Sequence, residues 1–151
     1  MRLTQNLSES PFTIVIAVPA PQIPRNPRFW FIAFALWWVT LWILSSRPTG
    51  PEGGLEIPHL DKVAHFGYFF GGAGLLSAAL FCLRKQLSWK YLTFIVVLIL
   101  ALTGLLDEFH QTHTPGRQGN DLGDLLADIT GAFAGTQIFR LLSPLLSRQG
   151  R

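Results

Sequence analysis

Residues 29–46 read FWFIAFALWWVTLWILSS, a run without one charged side chain. As a helix rising about 1.5 Å per residue it reaches roughly 27 Å, close to the hydrocarbon thickness of a bilayer. Water would have nothing to solvate on such a helix, whereas lipid can surround it. The rest of the chain has the same bias. Charged residues make up 14% of its 151 positions, against about 25% in a soluble domain. The formal charge of +3 does not point to nucleic acid. The basic residues form no stripe and sit at the ends of apolar runs. Cys82 is the only cysteine, so neither an intramolecular disulfide nor a cysteine metal cage can form.

Three more segments have the length and apolar content of spans: residues 63–83, 88–106 and 125–146. The second and fourth carry small residues four apart, Gly67 with Gly71 and Gly131 with Gly135. Such faces let helix backbones approach in lipid, so these two helices are expected to pack through those glycines. Pro144 is expected to end or kink the fourth helix. Short connections predict antiparallel neighbours. The expected fold is all-α, a four-helix transmembrane bundle over residues 29–146. Residues 1–28, with Pro19, Pro21, Pro24 and Pro27, read as a Pro-rich cytoplasmic tail. Residues 147–151 read as a basic C-terminal tail.

Orientation follows from Lys and Arg placement. One side takes Arg2, Arg25, Arg28, Arg84, Lys85, Lys90, Arg140, Arg148 and Arg151; the other takes Arg47, Lys62 and Arg117. The richer side is expected to be cytoplasmic, with both termini there. The acids have the opposite bias. Glu52, Glu56, Asp61, Asp107, Glu108, Asp121, Asp124 and Asp128 all fall on the outer half, with His59, His65, His110 and His113. Ionisable groups at membrane depth are costly and usually face a bundle interior or a wet cavity.

Three helix ends supply this cluster. Asp61, His65 and Tyr68 are spaced i, i+4, i+7 and share a helix face. Asp107 shares a face with His110 and Gln111, while Glu108 points about 100° away. Asp121, Asp124 and Asp128 open the fourth helix behind a turn that holds Arg117. Plainer readings exist for several of them. Asp121 or Asn120 can cap the fourth helix, and Arg117 can pair with an acid. His59 and His113 read as loop residues, and His110 and Gln111 as interfacial polarity.

In order along the chain stand Asp61, Lys62, His65, Phe66 and Tyr68, then Asp107, Glu108 and Gln111, then Pro115, Gly116, Arg117, Asp121, Asp124, Asp128, Gly131 and Gly135. This series resembles the VanZ-like family over about residues 29–146. It departs in two places: Tyr68 follows Phe66 by two residues rather than three, and the family commonly has Asn near Asp128. The resemblance implies a membrane protein of the bacterial cell envelope. It also implies a link to teicoplanin resistance, for which the family is named.

The reading that follows is an outward-facing polar site formed by Asp61, His65, Tyr68, Asp107, Glu108, Gln111, Arg117, Asp121, Asp124 and Asp128. Its partners would be membrane lipid and cell-wall or lipid-linked material; nucleic acid is excluded, and a homo-oligomer stays open. As an enzyme it would use acids, Asp107 and Glu108 foremost, with His65 or His110 in acid–base roles, or it would bind a divalent cation through residues the sequence does not single out. The sequence shows no nucleophile and no H-E-x-x-H spacing, so it assigns no metal and names no cofactor. The rivals are a structural or partner-binding membrane protein and, with only four spans available, a transporter.

The orientation is testable with a reporter active only in the cytoplasm. Fused after Arg151 it is expected to be active, and inserted near Gly53 silent. The reverse pattern would put the acidic end inside the cell.

Overall fold

The computed structural model describes residues 24–47, 59–84 and 86–148. The N-terminal tail, the connection holding Glu52 and Glu56, and the last C-terminal residues lie outside this range, apart from positions 24–28 and 147–148. Among the described residues there are four helices and no strand: α1 (Pro27–Ser45), α2 (Leu60–Leu83), α3 (Trp89–Gln111) and α4 (Leu122–Arg148). α1, α2 and α3 are long and apolar enough to cross a membrane.

Local chemistry sets the helix starts. Asn26 caps α1, its side chain accepting the Arg28 N–H at 2.9 Å, and Pro27 sits in the first turn where no donor is missed. Asp121 caps α4, Oδ1 accepting from the Gly123 amide at 2.6 Å. α4 does not end at Pro144 and runs on to Arg148. Proline there removes the amide that would bond the Arg140 carbonyl. The Ser143 hydroxyl donates to that carbonyl instead, at 2.8 Å.

α2 is the central helix, touching the other three. The core joins Phe69, Ala73 and Leu76 of α2, Leu92, Val96 and Leu100 of α3, Ala132 of α4 and Leu41 of α1. α1 is tied to α2 by a reciprocal pair. Trp37 Nε1 donates to the Tyr68 carbonyl at 3.1 Å, and the Tyr68 hydroxyl donates to the Trp37 carbonyl at 2.7 Å. The Trp37 ring lies over Gly72, where any Cβ would overlap it. Outward faces are apolar, with Ile32, Leu36, Phe94, Leu98, Phe133 and Leu141 all exposed.

The glycine expectation holds for one helix only. Gly131 and Gly135 press on the Phe66 and Phe70 carbonyls of α2, but nothing lies within 4 Å of a Cβ built at Gly67 or Gly71. α4 meets α2 along Phe66, Phe70 and Ala73. Each residue advances a helix by about 100°, so the adjacent Gly67 and Gly71 point elsewhere.

Gly135→Leu is therefore expected to cost about 1–3 kcal/mol or more by forcing the backbones apart. Gly71→Leu should stay within about 0.5 kcal/mol. Thermal unfolding in detergent measures both. Equal losses would contradict the observed helix phase.

Candidate functional site

Two polar groups lie side by side at the end of the bundle where α2 begins and α3 ends. The outer one centres on Lys62, whose Nζ reaches Asp61 at 3.1 Å, Asp121 at 2.8 Å and Asp124 at 3.2 Å. Lys62 and Asp121 stay half-exposed, while Asp124 is buried. Asp121 thus serves twice, capping α4 with one oxygen and holding Lys62 with the other. The ammonium beside it holds its carboxyl below the ordinary value of 3.8.

The inner group is nearly dry: Asp107 is 1% exposed, Glu108 3% and Asp128 0%. His65 Nδ1 lies 2.9 Å from Asp128 Oδ1. Asp107 accepts from the Ser45 hydroxyl through Oδ1 and from Gln111 Nε2 through Oδ2, the latter at 2.8 Å. Glu108 Oε2 accepts the Asp121 amide at 2.7 Å. Glu108 Oε1 and Asp128 Oδ2 are buried without a hydrogen-bond partner among the described residues. Leaving a buried polar atom unpaired costs about 1–3 kcal/mol, more when it is charged.

Two of the predicted residues take other partners. Among the described residues Arg117 pairs with no acid. It donates from Nη2 to the Leu44 carbonyl at 3.0 Å, and its buried Nε has no partner among the described residues. A cation at the end of α1 meets the negative end of the helix dipole there. The Tyr68 hydroxyl is taken by the Trp37 carbonyl. His110, on the Asp107 side by spacing, stacks on Trp42 at 4.3 Å and meets Ser46 Oγ at 2.9 Å. His113 bonds only within its own turn, to Phe109 and Thr112. Glu108 points away from Asp107, as its angular offset predicts, yet stays in the cluster. It faces α4 while Asp107 faces α1, so the two helices on either side bring both acids into one centre. Sequence reasoning missed Ser45, whose only signal is a hydroxyl at the end of an otherwise apolar run.

A cavity of about 160 Å³ adjoins this centre. Asp61, His65, Tyr68, Asp107, Gln111 and Arg117 supply its polar lining, and Leu41, Leu44 and Phe69 part of its apolar wall. Of the predicted residues, these six share the cavity. Glu108 and Asp128 sit beside it, joined through their contacts with His65, Asp107 and Asp121.

Among the described residues the chain is all-helical, with three helices fit to cross a membrane and with its acids and histidines gathered at one end, which fits a membrane protein. The VanZ/LLP1 family profile matches residues 22–143, and the chain belongs to that family. The match covers the polar centre and all residues that touch it. No curated protein and no solved structure matches the chain.

The lowered Asp121 carboxyl gives a pH test. A depressed folded value stabilises above the unfolded value and loses that stability as pH falls through the folded one. Lys62→Met is therefore expected to lower the thermal midpoint at neutral pH. The gap to wild type should close as pH falls below 3.8 and through the lowered folded value. A gap that persists at acid pH would show that Lys62 acts by packing alone.

Proposed function

We propose that the protein is a multi-pass membrane protein of the bacterial envelope that binds a polar envelope ligand at the Asp107 end of its bundle. In this reading α4 is the fourth span. Its modest hydropathy comes from the face turned inward, with Asp124, Asp128, Gly131, Gly135 and Thr136, while Phe133, Ile138, Leu141 and Leu142 point outward. Antiparallel neighbours fit the contacts, since the start of α2 meets the end of α3 at His65 and Asp107. Both termini then lie in the cytoplasm and the polar end faces out. The ligand class is cell-wall or lipid-linked material, and the family resemblance connects it to glycopeptide tolerance.

One observation carries this reading: among the described residues, a buried donor at Arg117 is left unpaired in the lining of one small cavity, and buried acceptors at Glu108 and Asp128 are left unpaired beside it. A scaffold gains nothing from unpaired groups, since buried ionic clusters seldom exceed apolar packing in stability. A ligand that bonds them would recover their lost hydration. The His65–Asp128 pair favours a second reading, an enzyme acting on a lipid-linked substrate. A carboxylate that fixes an imidazole is the usual arrangement of a general base.

Asp107→Asn, Glu108→Gln and Asp124→Asn test the site. Each is expected to lower teicoplanin tolerance of expressing cells to that of cells without the protein, with folded protein in the membrane reduced less than twofold, roughly 0.4 kcal/mol. Full tolerance in all three would contradict the reading. Parallel loss of tolerance and folded protein would assign the cluster to structure.

A further inference from the structure

Among the described residues, the buried acids at this end of the bundle outnumber the cations beside them. Asp107, Glu108, Asp124 and Asp128 are all buried. Lys62 reaches only Asp124 of these, and Arg117 is turned to the Leu44 carbonyl. Buried charges are ordinarily paired or coordinate a metal. His65, Asp107 and Glu108 each offer a ligand atom, and these atoms lie within 4.8 Å of one another. The other acidic trio, Asp61 with Asp121 and Asp124, already surrounds the Lys62 ammonium and needs no further cation.

We propose that His65, Asp107 and Glu108 hold one divalent transition-metal ion, with Asp128 fixing the histidine from behind. The proposal rests on the reading of this end as a ligand site, and names an ion as part of what it holds.

The surrounding bonds fit that role residue by residue. Asp128 engages Nδ1 of His65, which leaves Nε2 as the coordinating nitrogen. Metal-bound histidines usually give their other nitrogen to a carboxylate in this way. Glu108 has Oε2 occupied by the Asp121 amide and Oε1 unpartnered. This is an independent sign of a missing ligand, on a side chain only 3% exposed. The Asp107 oxygens each accept one bond, from Ser45 and Gln111, and each keeps a second lone pair. Three protein ligands leave coordination positions open, as in reactive rather than purely structural metal sites. His65 and Asp107 also line the cavity, so an ion held by them borders it. One imidazole with two carboxylates suits zinc, manganese or ferrous iron. Calcium and magnesium prefer oxygen alone.

The full-length protein, purified in detergent and stripped with chelator, is titrated with zinc alone and with manganese alone. About one equivalent is expected to bind. Glu108→Gln and His65→Gln should weaken binding at least tenfold, and Asp128→Asn about 10–100-fold, as expected of outer-shell partners. Wild-type protein that is monodisperse yet binds neither ion overturns the proposal, as do variants that bind like wild type. Should the variants not fold, X-ray absorption of the zinc-loaded wild type decides. Scattering from one imidazole with oxygen neighbours supports the site, and its absence rejects it. If the isosteric variants lose teicoplanin tolerance while wild type binds no ion, the metal proposal fails and the ligand-site reading stands. If wild type binds the ion while those variants keep full tolerance, the reverse holds.

Discussion

The carbonyls of Phe66 and Phe70 lie so close to Gly131 and Gly135 that a Cβ at either glycine would overlap them. Dispersion and backbone packing hold helices together in lipid, where apolar surfaces gain nothing by leaving the solvent, and small residues permit that approach. The polar end is set by the same contact. With Phe66 on Gly131, Lys62 lies one turn earlier on α2 and reaches Asp124, and His65 falls against Asp128. A larger side chain at position 131 or 135 would push α4 off the Phe66 or Phe70 carbonyl, and with it the acids from their partners on α2. α3 completes the centre from its end, with Gly104 small enough to leave room for the Asp128 carboxylate. α1 closes it with Ser45.

The result is a graded arrangement of charge. Toward the rim, Lys62 balances buried Asp124 and two carboxylates in contact with water, Asp61 and Asp121, where ion pairs are screened and readily exchanged. Deeper in, four helices supply Ser45, His65, Asp107, Glu108 and Asp128, and acceptors outnumber donors. Burial makes every unpaired atom there costly. Stability alone does not account for such a centre, and the ligand proposed above would meet its unpaired atoms.

Much of this was legible from the chain. The apolar runs located all four helices because charge is absent from their middles. Structure lengthened each at one or both ends, since capping residues such as Asn26 and Asp121 lie beyond the apolar boundary. The acids were found because they cluster against the bias of the basic residues. Helical spacing grouped Asp61, His65 and Tyr68 correctly around one cavity. What the sequence could not show depends on rotation about helix axes and on backbone partners. Gly67 and Gly71 repeat at the packing interval, yet the interface runs along the adjacent Phe66 and Phe70. Arg117 looked like the mate of an acid, but its partner among the described residues is a main-chain carbonyl, which no side-chain pattern records. Pro144 looked like a stop because the compensating bond from Ser143 is a rotamer choice.

The central claim is that the inner acids and His65 are kept for a ligand and not for the fold. Pairs of buried charges retained for function can usually be replaced together by apolar residues without loss of stability, whereas removing one partner alone is damaging. Thermal unfolding of the double variant His65→Leu with Asp128→Val, beside the two single variants, makes the comparison directly. The account predicts a midpoint for the double variant at or above wild type, with both singles below it. A double variant that unfolds as readily as the worse single would contradict it, and would make the pair a structural element of the bundle.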